Sequence, residues 1–464
     1  MLNAPLTDPD EGLHAAISQE MVERGDLIVP RFLGHAFLDK PILFFWAQAA
    51  SIAAFGMTTA TARLPGMLFA LLGIATTGWL AMVLFGSSAD GGLALSGAPR
   101  HWIAATCYAT MVLPFLLAQA PVHDVALVPF TNLALGFLWR AGRDSGFPPP
   151  LSELRRASGI RDSMPAALAL GFSILTKGLE GVAIVGLGYG LYLLIARAIT
   201  WRIVVRGIVI LAIAVLVALP WYLAMNAREP GYLRYYFIDR HLLGFATETQ
   251  RHSGQRWWFY LPIVIGGGLP WVFFIDLARR KAAPCTTEGR APILLWTWLG
   301  GTTILLSLAA SKAVTYVLPA MPAIAILAAR SSGAMRTWRV VAIATTATYA
   351  LALAIFGPSL ARAHSARDLA DYFNSSGRLP ATIFVFDQRV SFVYYLRPDI
   401  RRQLHEEQIR SVSVEELAAM QPFPRDAVVA LPSDLAATRL ARIAQLANAP
   451  RHEAGRYLVV SPLR

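Results

Sequence analysis

Near the start of the chain, Leu6-Thr-Asp-Pro-Asp-Glu-Gly-Leu-His14 gathers Asp8, Asp10 and Glu11 at what reads as the first turn of a helix. Phe37-Leu-Asp-Lys-Pro41 then sets an acid and a lysine before an aromatic run. Carboxylates in such a place either cap a helix or serve a reaction as base or charge stabiliser. Asp8 suits the N-cap, Pro9 the first helical position, and Glu11, three residues after Asp8, closes a capping box. Asp10 is left over and is the candidate catalytic residue, against the plainer reading of an acidic first turn facing the helix dipole. Leu13, Ile17 and Met21 continue the helix, and Gly25 is its natural stop.

A second set is cationic. Between residues 227 and 256, Arg228, Arg234, Arg240, Arg251 and Arg256 outnumber Glu229, Asp239 and Glu248. Lys177 and Lys312 stand beside apolar runs, where an unpaired charge is expensive. Such residues call for an anion, phosphate above all. The structural alternatives are arginines serving lipid headgroups and a Lys177–Glu180 pair three residues apart.

Composition decides which elements could hold these residues. The chain has 464 residues, 55% hydrophobic and 15% charged, with mean hydropathy +0.49, and its apolar runs reach bilayer-spanning length. It reads as a polytopic membrane protein. The net charge of +12 does not indicate nucleic acid, because the arginines fall mainly between apolar runs, where orientation and anionic lipid account for them. Cys107 in an apolar run and Cys285 in a basic loop imply no disulfide.

Spans are expected at roughly 63–85, 101–119, 124–141, 163–178, 179–196, 205–225, 257–277, 291–310, 314–330 and 337–357. Residues 41–56 are too short to span and suit an interfacial helix. With no signal-peptide pattern before the acidic helix, either the start lies upstream or a first spanning helix is missing. Arg140, Arg143, Arg155, Arg156 and Arg161, then Arg197, Arg202 and Arg206, then Arg279, Arg280 and Lys281, and last Arg330, Arg336 and Arg339, mark alternate loops as cytoplasmic. Every candidate functional residue then faces outward. The expected layout is an outer loop with interfacial helices over 1–62, a transmembrane bundle over 63–357 and a small α/β domain over 358–464. In that domain, strand-like runs at Thr382–Phe386, Ser391–Leu396, Ala427–Leu431 and Tyr457–Val460 alternate with helical patterns at 365–375, 414–420 and 433–447. Asp387 at a strand end reads as a turn residue.

Taken together, Pro9-Asp10-Glu11, Asp39-Lys40-Pro41, Arg63-Leu64-Pro65, Lys177-Gly178, Leu219-Pro-Trp-Tyr222, Leu269-Pro-Trp271, Ser311-Lys312 and Tyr316-Val-Leu-Pro319 resemble, in order and spacing, the bacterial relatives of the protein O-mannosyltransferases. That family includes the aminoarabinose transferase acting on lipid A. The likeness covers roughly residues 5–330. It implies a mostly α, GT-C-type membrane glycosyltransferase that moves a sugar from an undecaprenyl-phosphate-type donor to an outer acceptor: lipid A, another envelope glycan or a protein. The implied location is the bacterial inner membrane, with the active site and the C-terminal domain outside.

The resemblance assigns Asp10 as the catalytic aspartate, Asp124 as a second acidic position and Lys40 as a contact to the lipid phosphate. Asp39 stands where the family has a metal-binding glutamate, with His241 or His252 as the further ligand a divalent metal would need. Gly244 replaces an arginine expected before Phe245, for which Arg240 or Arg251 could substitute. Lys312 and Lys177 complete the donor-phosphate set, and no other cofactor is implied. A phosphate leaves with little acid assistance, but its charge must be neutralised as the bond breaks. A carboxylate across the sugar then serves as base or cation stabiliser. A lipid or solute transporter is the rival reading; it would show paired hydropathy halves and charges near the midplane, whereas these cluster on one face.

Overall fold

In the computed structural model the described residues are 2–85, 100–120, 122–143, 160–247, 254–275, 287–331, 335–386, 388–420, 423–424, 426–433, 443, 446 and 449–461. Arg155, Arg156, Arg251, His252, Arg279, Arg280, Lys281, Cys285, Asp387 and most of the helix expected at 433–447 lie outside them. The chain forms two compact units, one of residues 1–37, 45–64 and 350–464, the other of 38–44 and 65–349.

In the first unit, the helix Asp10–Arg24 ends at Gly25 with φ 66°, as its sequence indicates. It buries Ile17 and Met21, and the short hairpin β1 (Arg31–Phe32) with β2 (His35–Ala36) lies beside it. The capping box does not form. Pro9 holds the N-cap position and no side chain caps the helix. Both carboxylates meant for it have stronger partners elsewhere in the unit. Asp8 accepts hydrogen bonds from the backbone N–H groups of Val390 (2.7 Å) and Ser391 (2.6 Å) and from Ser391 Oγ (2.6 Å). Burial nevertheless pushes its carboxyl up to about 6, those donors pulling the other way. Glu11 turns inward to Arg63.

The C-terminal residues of this unit form a five-stranded sheet in the order β4-β3-β5-β7-β6, from β3 (Thr382–Val385), β4 (Ile409–Ser411), β5 (Ala427–Pro432), β6 (Arg451–Ala454) and β7 (Tyr457–Val460). β3 runs parallel to β4 and β5, while β7 is antiparallel to β5 and β6. Phe384, Leu417, Val429, Leu431 and Val460 make its core. The expected strand at Ser391–Leu396 is instead a helical turn, Phe392–Tyr395. Asp8 takes the N–H groups at 390 and 391 that a ladder would need, and Ser391 Oγ accepts from the Ala366 N–H at 2.8 Å.

The second unit is helical. Across the chain, five helices are long and apolar enough to cross a membrane among the described residues: Thr59–Phe85, His123–Gly142, Trp201–Arg228, Arg290–Leu308 and Thr337–Ala363. Trp201–Arg228 leaves Ile208, Leu216 and Leu223 exposed, the pattern of a lipid-facing helix. The other expected spans are shorter or broken. Residues 101–119 divide into Arg100–Ala109 and Val112–Leu117, 257–277 into Tyr260–Gly267 and a 3-10 turn at Trp271–Phe274, and 314–330 into a 3-10 stretch at Val314–Ala320 and the helix Met321–Ser331. Pro114, Pro270 and Pro319 lie in or beside these breaks and remove helical donors. Polar groups beside these breaks find partners within the protein: the Val112 N–H donates to the Leu269 carbonyl (3.2 Å), and the Trp271 indole N–H donates to Thr110 Oγ1 (2.8 Å).

Candidate active site

Three helix ends meet in the second unit. Asp124 lies in the first turn of His123–Arg143, Glu180 in the first turn of Leu179–Ile195, and Lys177 in the last turn of Ile160–Lys177. Each charge has the sign its helix end favours. Lys177 Nζ is paired with Asp124 Oδ1 and with Glu180 Oε2, the latter at 2.8 Å, and sits 3.9 Å from the centre of the Tyr316 ring. The Lys177, Asp124 and Glu180 side chains are 6%, 8% and 17% exposed. An ammonium has three N–H donors, so two carboxylates and an aromatic face occupy all of them. Asp124 also takes a hydrogen bond from Thr315, whereas Glu180 Oε1 is buried without a partner.

Gly178 makes the geometry. With φ 66° it breaks the helix between Lys177 and Glu180. A Cβ there would fall 2.6 Å from His241 Nε2 and 2.7 Å from the Tyr236 hydroxyl. Gly178→Ala is therefore expected to cost about 1–3 kcal/mol from backbone strain and crowding. Thermal unfolding of the purified variant, with donor binding measured beside it, checks this; an unchanged midpoint and affinity would count against the constraint.

Lys40 enters the same electrostatic neighbourhood from the segment before the helix Leu43–Phe55. Burial first, then the Lys177 cation, holds its ammonium below the usual lysine range, with Asp124 and Glu180 pulling the other way. Its neighbour Asp39 accepts from the Tyr235 hydroxyl at 2.6 Å and faces Arg240 Nε at 3.6 Å. Tyr235, Arg240 and His241 all lie on a nine-residue π-helix, Tyr235–Leu243. His241 Nδ1 lies 2.8 Å from the Tyr236 carbonyl, and the ring also bonds the Lys177 carbonyl; burial holds this imidazole below its ordinary value. Asp39 is thus engaged with Tyr235 and Arg240, and His241 with backbone carbonyls. Among the described residues no three His, Cys, Asp or Glu side chains come together. The described residues do not fit the divalent-metal set expected from Asp39 and His241.

Of the residues singled out in the sequence, the structure thus brings Lys40, Asp124 and Lys177 together, with Asp39 and Arg240 beside Lys40. Lys312 is buried and donates to the carbonyls of Gln255 (3.2 Å) and Ala309, closing the C-terminal end of the helix Thr287–Leu308. Asp10 belongs to the first unit. It is exposed at the start of its helix, with no hydrogen bond or ion pair among the described residues. The sequence reading missed Tyr235 and Thr315 as members of this cluster, as well as the ring of Tyr316. Tyrosine and threonine carry no charge that makes them conspicuous in an apolar chain, so no sequence signal separates them from ordinary packing residues.

Comparison with known proteins sets this geometry in context. No family model matches the chain. The undecaprenyl phosphate-alpha-4-amino-4-deoxy-L-arabinose arabinosyl transferase of Aeromonas hydrophila is 29% identical over 329 residues, covering 71% of this chain and 56% of that protein. The transferase of the same name from Edwardsiella ictaluri is 30% identical over 325 residues, 70% of this chain and 55% of its own. The chain spans little more than half the length of these curated relatives. Among solved structures, ArnT from Cupriavidus metallidurans bound to undecaprenyl phosphate gives a TM-score of 0.68 at 21% identity, covering 99% of this chain and 94% of that one. The archaeal oligosaccharyltransferase AglB from Archaeoglobus fulgidus gives 0.50 at 13% identity, covering 87% and 61%. The chain thus shares its fold with ArnT, is similar over about 70% of its length to transferases named for an undecaprenyl-phosphate-linked aminoarabinose, and carries five helices apolar enough for a multi-pass membrane protein.

Proposed function

We propose that this protein transfers a sugar from an undecaprenyl-phosphate-type donor to an acceptor on the outer face of the bacterial inner membrane. The observation that carries the reading is the buried Lys177, held by Asp124 and Glu180 with Lys40 beside it, in a relative of enzymes named for an undecaprenyl-phosphate-linked sugar. The finer reading, supported by those names, is transfer of a 4-amino-4-deoxy-arabinose unit, with lipid A or another envelope glycan as acceptor. Alternating arginine loops support the outward orientation of the site.

In this mechanism the leaving phosphate collects charge as the C–O bond to the sugar breaks. Lys40, half-buried, and Lys177, buried, stabilise that charge from a largely desolvated position. Lys40 has fewer commitments than Lys177 and is the direct phosphate contact. Asp10, with its carboxylate uncommitted, acts from the acceptor side as base, or as stabiliser of the sugar cation when the acceptor is itself a phosphate.

The reading is tested with purified protein and a polyprenyl-phosphate-linked aminopentose, following appearance of the free polyprenyl phosphate. Lys40→Met should weaken use of this donor by about 10- to 100-fold through loss of a charge-assisted contact. Arg202→Met, at an exposed arginine in the first turn of the helix Trp201–Arg228, at the end assigned to the cytoplasm, should change it little. Equal losses in the two variants would mean that general attraction of lipid by basic residues, and not a donor site, explains the lysines.

A further inference from the structure

Lys177 is saturated and Glu180 is not. The two ammonium groups of the cluster face two carboxylates, Asp124 and Glu180, so the buried group is electrically balanced before any ligand arrives. Asp124 has its second interaction through Thr315, but Glu180 Oε1 is buried with no hydrogen-bond partner. A phosphodiester anion entering this site would bring an uncompensated negative charge into a place shielded from water, which is strongly unfavourable. It would also meet a lysine with no free N–H. Both difficulties are removed if one carboxylate becomes neutral. Glu180 is the one with an oxygen to spare.

We infer that Glu180 binds a proton when the donor's phosphodiester enters, loosening its hold on Lys177 and donating a hydrogen bond from Oε1 to a phosphate oxygen. The neutral acid restores the charge balance, and Lys177 regains an N–H for the ligand. This rests on the donor-binding reading above and assigns to Glu180 a binding role that the relatives' names do not contain. The other titratable groups around it are Asp124, Lys177 and Lys40, with Tyr316 and Tyr260 on the apolar side; His241 and Arg240 lie beyond Lys40. Of these, Asp124 and His241 are the ones that could take up a proton in Glu180's place.

The test uses the whole protein in detergent and farnesyl methyl phosphate, a polyprenyl phosphodiester whose single charge does not change over the accessible pH range. Because one proton enters with the ligand, wild-type affinity should fall as pH rises, approaching tenfold per pH unit above the titration of the free carboxyl. Glu180→Gln mimics the neutral acid. It should bind at pH 8.5 about as tightly as the wild type does at its low-pH limit, with no slope. Its unfolding midpoint, measured alongside, should stay close to wild type because glutamine can still accept from Lys177. A flat wild-type profile, or a Glu180→Gln variant that keeps the wild-type slope, overturns the assignment to Glu180, the second outcome moving the proton to Asp124 or His241. Failure of the wild type to bind the phosphodiester at any pH would sink the donor reading itself, and this inference with it.

Discussion

Asp10→Asn is expected to lower turnover by about two orders of magnitude or more while membrane expression and unfolding temperature stay near those of the wild type. The argument rests on what its neighbours are doing. Asp8 is committed to Val390 and Ser391, and Glu11 to Thr7 and Arg63, so each has a structural task that consumes its charge. Asp10 is exposed, and its carboxylate is uncommitted among the described residues. Removing its charge should cost the fold only the helix-dipole interaction, about 0.3–1 kcal/mol. Asparagine keeps the shape and loses the base. Steady-state turnover with a polyprenyl-phosphate sugar, paired with thermal unfolding, separates the two effects. Near wild-type turnover would remove Asp10 from the mechanism and make Asp124 the leading carboxylate.

Arg63→Met should be the most destabilising of the single changes considered, by about 3–5 kcal/mol, because it strands a buried carboxylate. Arg63 and Glu11 are each 5% exposed and are joined through Arg63 Nε and Glu11 Oε1 at 2.5 Å. The same guanidinium donates to the carbonyls of Ala4 (2.5 Å) and Pro5 (2.9 Å), tying down the residues before the helix. Glu11's other oxygen accepts from the Thr7 N–H (2.7 Å) and hydroxyl (2.9 Å). Glu11→Gln, nearly harmless if a capping box were its only role, should instead cost about 1–3 kcal/mol, since the buried guanidinium then loses its counter-charge. Loss of both partners together should cost less than the sum of the single changes, the signature of a coupled pair. Unfolding midpoints within a degree of wild type for Arg63→Met would show that the pair carries little stability.

These two predictions also mark how much of the site was legible beforehand. Lys177 stands out in the sequence because a charge beside an apolar run needs a reason, Asp10 because the capping box leaves it over, and Lys40 and Asp124 through the family resemblance. The Lys177–Glu180 pair was legible from its spacing of three. The grouping of Asp124 with them was not, since it depends on two helices from distant parts of the chain ending at one place. Lys312 shows the converse: its burial beside an apolar run is real, yet its ammonium closes a helix end.

The sequence by itself determined the membrane class, the helix Asp10–Arg24 with its stop at Gly25, the five long apolar helices and three strands of the C-terminal sheet. All of these follow from hydropathy, periodicity and turn chemistry, which are local. Only the tertiary structure decided that Asp8 and Glu11 abandon the capping box, that 391–396 coils into a helical turn, and that several apolar runs break at prolines. The physical reason is common to the first two. A local motif such as a capping box is worth about 1 kcal/mol, and a buried guanidinium or a pair of loop N–H groups seeking an acceptor outweighs it as soon as folding brings one within reach.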